Sequence, residues 1–272
     1  MPGDVDLEAY FKRIGYSAEP AADLPTLQAL HRLHPLAIAF ENLSTLLGEP
    51  VPLDIAALQD KLVTRGRGGY CFEHNRLFAE VLTSIGFEVV GLAARVLWNR
   101  QVGAPPGPRW HMVLRVRFAD EDFICDVGFG GLTLTGSLKL ELDTEQETPH
   151  EPFRLKRRHD ELVLEARIQG EWRSLYGFDL QEQLPIDFDV LNHFVATHPS
   201  SPFLTTLMAA RRTASGRYAL TDNELSVYRG IVKEERKLGS AAELEGALTN
   251  LFGIALPQTA AFGDLLESIA AK

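Results

Sequence analysis

Residues 109–131 read RWHMVLRVRFADEDFICDVGFGG, and the register of this stretch decides both a fold and a candidate site. Trp110, Met112, Leu114, Val116 and Phe118 alternate with His111, Val113, Arg115 and Arg117, a period of two that predicts a β-strand. After a short acidic turn, Phe123, Cys125 and Val127 repeat the alternation and Asp126 falls on the other side. A tight turn at Ala119–Asp120 would set His111 opposite Gly128, with Asp126 one diagonal step away on the same face. Diagonal neighbours lie about 7 Å apart at Cα, within reach of an imidazole and a carboxylate. A turn centred between Asp120 and Glu121 would instead oppose His111 to Gly130 and leave Asp126 too far. The glycines at 128, 130 and 131 leave open space beside the ring, as a substrate channel needs.

On the N-terminal side the period is helical. Leu7, Tyr10, Phe11 and Ile14 share one helix face, as do Leu27, Leu30 and Leu33, with Pro35 expected to stop that helix. Asp54 reads as an N-cap for a helix carrying Leu58 and Leu62. From Cys71, the positions Phe72, Leu77, Phe78, Val81, Leu82 and Ile85 keep helical spacing until Gly86. About four helices are expected over residues 1–88. EVVGLAARVLW (88–98) is rich in β-branched residues. FRLKRR (153–158), ELVLEARI (161–168) and EWRSLYGF (171–178) read as an antiparallel meander with Gln169–Gly170 as a tight turn. The middle third, 89–198, is therefore expected to be a β-barrel or curved sheet followed by a connecting helix, PIDFDVLNHFVAT (185–197). Residues 199–272 mix short strands with a helix capped by Ser240 and Glu243. The expected class is α+β.

Composition narrows the function. The chain has 272 residues, 45% hydrophobic and 24% charged, enough for two or three packed units. Its net charge of −10 argues against a nucleic-acid binder, which needs a basic face for phosphates. The opening MPGDVDLEAY has neither a basic start nor an apolar core, so no signal peptide is expected. No run of about 18 apolar residues is present, so no membrane span is expected either. The 2 cysteines show no CxxC spacing and the histidines no HxxxH, so no metal is expected. Free thiols in a reducing cytoplasm are the simplest setting.

One of those cysteines stands in RGRGGYCFEHN, residues 65–75. Gly68 and Gly69 can take positive φ and let the backbone turn sharply into the helix. A cysteine in the first turn feels unpaired N–H groups and the positive end of the helix dipole, which favour a thiolate. Arg65 and Arg67 could add positive potential. The alternative is that Cys71 is a small buried hydrophobe. A reactive thiol needs a base and a group to orient that base. His111 and Asp126 are the candidates; His74, three residues past Cys71, is the rival base but reads as structural.

RGRGGYCFEHN, RWHMVLRV and CDVGFGG together resemble the arylamine N-acetyltransferase family in order and spacing. YFKRIGY, HPLAIAFENL and ATHPSSPF resemble its other segments, so the similarity covers most of residues 6–205. The resemblance implies a helical bundle (1–88), a β-barrel (89–198) and an α/β lid (199–272) around a cysteine-protease-like Cys-His-Asp core. It implies Cys71 as acetyl-accepting nucleophile, His111 as base and Asp126 as its partner. Phe129, Phe40 and Phe203 match aromatic positions around the acceptor pocket. Gly130, Gly131 and Thr133 are the candidate coenzyme A contacts, by proximity to the site. The implied reaction is ping-pong acetyl transfer from acetyl-CoA to an arylamine, arylhydrazine or arylhydroxylamine, with no metal. Two other readings of the same three residues stay open: a macrolactam-forming amide synthase, and a papain- or transglutaminase-like hydrolase.

Overall fold

In the computed structural model, which describes residues 5–101, 103, 105–230 and 232–272, capping residues set the first helices. Residues 1–4 of the segment read above for a signal peptide lie outside the described residues. Asp6 accepts from the Ala9 amide to start α1 (Leu7–Ile14), and Gly15 ends it in the left-handed region. α2 (Leu24–Ala37) runs through Pro35 instead of stopping there. Only two residues of the helix follow Pro35, so its missing N–H and its ring disturb little more than one hydrogen bond. Then come β1 (Phe40–Glu41), α3 (Leu43–Leu46), α4 (Ile55–Leu58) capped by Asp54, and α5 (Cys71–Ile85). α4 continues as a wider π-turn over Gln59–Thr64, which periodicity at 3.6 residues did not reveal.

Seven antiparallel strands follow: β2 (Glu88–Val96), β3 (His111–Phe118), β4 (Glu121–Cys125), β5 (Leu138–Lys139), β6 (Phe153–Arg158), β7 (Glu161–Ile168) and β8 (Glu171–Gln183). They lie in the order β5-β4-β3-β2-β8-β7-β6. Bridges from Leu142 to Leu155 and from Gln146 to Phe153 draw the two edges together, so the sheet is a nearly closed barrel. Gln169 and Gly170, at φ 53° and 85°, form the tight turn expected between β7 and β8. Leu92, Val113, Ile124, Leu164 and Phe178 fill the barrel interior. Met112, Leu114, Val116 and Cys125 point outward and pack on Phe72, Phe78 and Val81 of α5. Both faces of β3 are therefore buried at its His111 end.

α6 (Pro185–Thr197) leads to β9 (Met208–Thr213), β10 (Gly216–Thr221), β11 (Glu224–Arg229), β12 (Val232–Lys237), α7 (Ala241–Asn250) and α8 (Ala260–Ala270). The second sheet runs β1-β9-β10-β11-β12, so the N-terminal third contributes a strand to it through Phe40↔Ala210. Ser240 caps α7, but Glu243 reaches back to the Gly239 amide rather than to Ser240. α8 went unread, although Phe262, Leu266 and Ile269 stand at helical spacing and are buried. No helix among the described residues is long and apolar enough to cross a membrane.

Candidate active site

The loop before Cys71 is held by close packing. Gly68 and Gly69 do not adopt positive φ; Gly66 does, at 66°. A Cβ on Gly68 would lie 2.1 Å from the Ala39 carbonyl oxygen, and one on Gly69 would lie 2.6 Å from Glu73 Oε2. These glycines are required by the approach of β1 and of the Glu73 carboxylate. Glu73 accepts the Tyr70 amide at 2.9 Å and pairs with Lys61 at 2.6 Å, which seats the first turn of α5. Arg65 and Arg67 do not face the thiol as free charges. Arg65 pairs with Asp60, and buried Arg67 pairs with Glu41.

The hairpin takes the tight turn. Ala119 and Asp120 have φ of 48° and 60°, and Phe118 pairs with Glu121, Leu114 with Cys125. Continued by three residues, that register brings His111 opposite Gly128. His111 Nε2 lies 2.7 Å from Asp126 Oδ2, which leaves Nδ1 for the thiol side. Asp126 Oδ1 accepts from Asn75 Nδ2 and from the Gly128 amide, each at 2.9 Å. Asn75 also accepts the Val127 amide and donates to the Met112 carbonyl, so one side chain of α5 bridges both strands. Its role was not read from the sequence, although it stands one helical turn after Cys71.

These contacts set the charges. Burial works against a charged imidazole, yet the Asp126 charge and hydrogen bond, with the adjacent Cys71 side chain, raise the His111 pKa to about 10. Burial pushes the Asp126 carboxyl up, but the His111 charge and the hydrogen bonds from His111, Asn75 and Gly128 outweigh it and hold it low. Phe129 and Tyr176 flank the ring at centroid distances of 5.1 and 4.9 Å. Cys71, 5% exposed, sits with Sγ 3.7 Å from the Trp110 carbonyl oxygen. His74 has no part in this cluster: it is fully buried and bonded to His34 and to the Gly69 and Ala39 carbonyls.

Cys71 and His111 open onto a cavity of about 600 Å³. Phe40, Phe129 and Phe203 line it, as do Gly130 and Gly131, and so do Trp98 and Trp110, which sequence reading passed over. Asn42 explains how distant segments meet here. It donates to the carbonyls of Phe203 and Thr206 and accepts the Met208 amide, which pins the Pro202–Leu204 turn beside β1. One expected position lies elsewhere, and another is partly filled. Thr133 is buried and does not line the cavity, its hydroxyl and amide both donating to the Gly130 carbonyl, because the chain closes a turn there. Gly128 lines the cavity as expected, but the side its Cβ would occupy is filled by α5.

The pattern of the N-acetyltransferase family matches residues 23–261. The chain is 45% identical over 255 residues to the arylamine N-acetyltransferase of Mycolicibacterium smegmatis, which covers 93% of each. The structure of arylamine N-acetyltransferase from M. tuberculosis superposes with a TM-score of 0.94 at 42% identity, over 96% of this chain and 100% of that one. That of the Mycobacterium marinum enzyme in complex with CoA gives 0.94 at 41% identity, over 97% and 99%. The chain is an acyltransferase that belongs to the arylamine N-acetyltransferase family.

Proposed function

We propose that the chain transfers acetyl groups from acetyl-CoA to arylamines, arylhydrazines or arylhydroxylamines by a ping-pong route through acetyl-Cys71. The observation that carries this reading is the joint opening of Cys71 and an Asp126-paired His111 onto an aromatic-walled cavity. His111 takes the thiol proton and holds it as an imidazolium beside Asp126. The sulfur attacks the thioester carbonyl, the C–S bond to CoA breaks, and His111 returns the proton to the departing thiolate. The amine then attacks acetyl-Cys71, its proton passes to His111, and the Cys71–acyl bond breaks to release the amide. The Cys71 amide at the start of α5 is the proposed donor to the oxyanion of each tetrahedral intermediate, as Glu73 caps the helix start through the Tyr70 amide and not through that of Cys71.

The aromatic walls favour flat rings and exclude water, the setting in which an amine outcompetes hydrolysis. Phe40, Phe129 and Phe203 are the proposed acceptor contacts, with Gly130 and Gly131 beside the acyl donor. On this reading the chain divides near 88 and 198, and the last part acts as a lid over the site. A thiol nucleophile needs a reducing compartment, so the cytoplasm and foreign aromatic amines are its proposed setting and substrates.

The test is Cys71→Ala. Acetyl transfer is expected to vanish while the fold stays intact; turnover retained in that variant would refute the assignment. In the unmodified protein, acetyl-CoA should give about one equivalent of CoA per enzyme without amine, and continued CoA release only when an aniline is added. Repeated turnover of acetyl-CoA to CoA without amine would mean a hydrolase.

A further inference from the structure

α2 carries two histidines one turn apart, and each reaches a different half of the site. His31 and His34 are fully buried, and both stand edge-on to Phe78 at 5.7 Å. His31 Nε2 accepts the Asp126 amide at 3.0 Å, so its proton must be on Nδ1, which has no hydrogen-bond partner among the described residues. His34 heads the other way. His74 Nε2 faces only carbonyl oxygens, of Gly69 at 3.0 Å and Ala39 at 3.2 Å, so it carries a hydrogen and Nδ1 is bare. That bare nitrogen accepts from His34 Nε2 at 2.8 Å, and His34 Nδ1 in turn accepts from the Tyr10 hydroxyl at 2.8 Å. One assignment of protons satisfies the whole chain, and it ends on the Gly69 carbonyl, two residues before Cys71.

We propose that His31 and His34 are positioning residues, through which α2 holds the Gly69–Cys71 loop and the Asp126 backbone at one mutual spacing. The proposal rests on the reading of Cys71 as the nucleophile. Neither histidine touches the reacting atoms; each acts through a backbone group next to one of them. Packing alone does not account for His31. A leucine there would fill the space, remove the unpartnered Nδ1–H and leave the Asp126 amide without an acceptor, one buried orphan exchanged for another. Stability should change little, whereas the Asp126 backbone loses its tether. A displacement of that kind lowers reactivity about 10- to 100-fold.

The experiment follows the pH dependence of Cys71 alkylation by iodoacetamide, with thermal melting alongside, in His31→Leu, His31→Met and His31→Gln. Leu and Met should slow neutral-pH alkylation by that factor and move the profile to higher pH. Gln offers a carbonyl oxygen to the Asp126 amide and should recover most of the rate. Met serves in place of Leu should the latter fail to fold. For the other arm, His34→Leu should slow alkylation in the same way. His34→Gln, which can both accept and donate, should restore it. An unchanged profile in folded His31→Leu or His31→Met, or a Gln variant as slow as Leu, overturns the positioning role and leaves the nucleophile standing. A parent protein in which Cys71 reacts no faster than a cysteine in the unfolded chain overturns both.

Discussion

Gly128 sits against the first turn of α5 so closely that a Cβ on it would lie 2.8 Å from the Cys71 Cα. The same Cβ would meet Asn75 Nδ2 and the Cys71 carbonyl oxygen at 3.1 Å. The strand end that carries Asp126 and the helix start that carries Cys71 can approach one another only because this residue has no side chain. Gly128→Ala therefore pushes on backbone, which cannot yield as a side-chain tip can. The variant should lose about 1–3 kcal/mol of stability. It should also lose transfer activity about 100-fold as the thiol moves off the imidazole. Denaturant melts and acetyl-transfer rates check both; full activity would mean that the two elements adjust freely.

Asp126→Asn removes the charge that holds the proton on His111. With burial then opposed only by the Cys71 side chain, the imidazole pKa should fall from about 10. Acetyl transfer should drop by about four orders of magnitude, as when the orienting carboxylate of a catalytic triad is lost. The alkylation profile of Cys71 should shift with it. A variant with near-normal turnover would place the essential carboxylate elsewhere.

The buried histidines predict acid sensitivity. Burial lowers His31 and His74 to a pKa of about 4, and it lowers His34 as well. Unfolded, each has a pKa of about 6.5, so below that pH the unfolded chain binds more protons than the folded one. Their contribution is present above pH 6.5 and is lost as the pH falls towards 4, at up to about 1.4 kcal/mol per pH unit per histidine. His111, raised to about 10, is protonated in both states below pH 6.5 and adds no slope there; its contribution is lost as the pH rises from 6.5 to 10. Melting temperature measured from pH 7 down to 5 should fall steadily, and less steeply in His74→Gln. Parallel curves would contradict this.

Phe203 and Phe40 line the cavity with their rings 6.3 Å apart, and Tyr70 packs on Phe203 at 5.4 Å. Phe203→Ala should raise the KM for an arylamine about tenfold, equivalent to one aromatic pairing. The release of CoA from acetyl-CoA in the first half-reaction should change little. An unaltered KM would move the acceptor to another wall.

Cys125 supplies an internal control for thiol chemistry. It is fully buried, and burial pushes its thiol well above the usual range. Iodoacetamide should label Cys71 much faster than Cys125 in the folded protein, read by peptide mass. Equal rates would count against an activated thiol at position 71.

The sequence alone carried the periodicities and the chemistry-bearing residues. Alternation over 111–118 and helical spacing after Cys71 are local properties, set by where side chains point along a strand or helix. Even the His111–Asp126 pairing came down to one local choice, the turn at Ala119–Asp120, and the left-handed φ values there settle it. Contacts across long separations were not legible in this way. That Asn42 grips the Phe203 turn 161 residues away, that Asn75 bridges β3 and Asp126, and that His31 meets the Asp126 amide depend on how the elements dock. Tertiary packing also reversed the local expectation at Gly68 and Gly128, whose glycines answer to neighbouring backbone rather than to their own φ. Spacing along a chain constrains only near neighbours, whereas the donors and acceptors a buried polar group finds are chosen when whole faces close on one another.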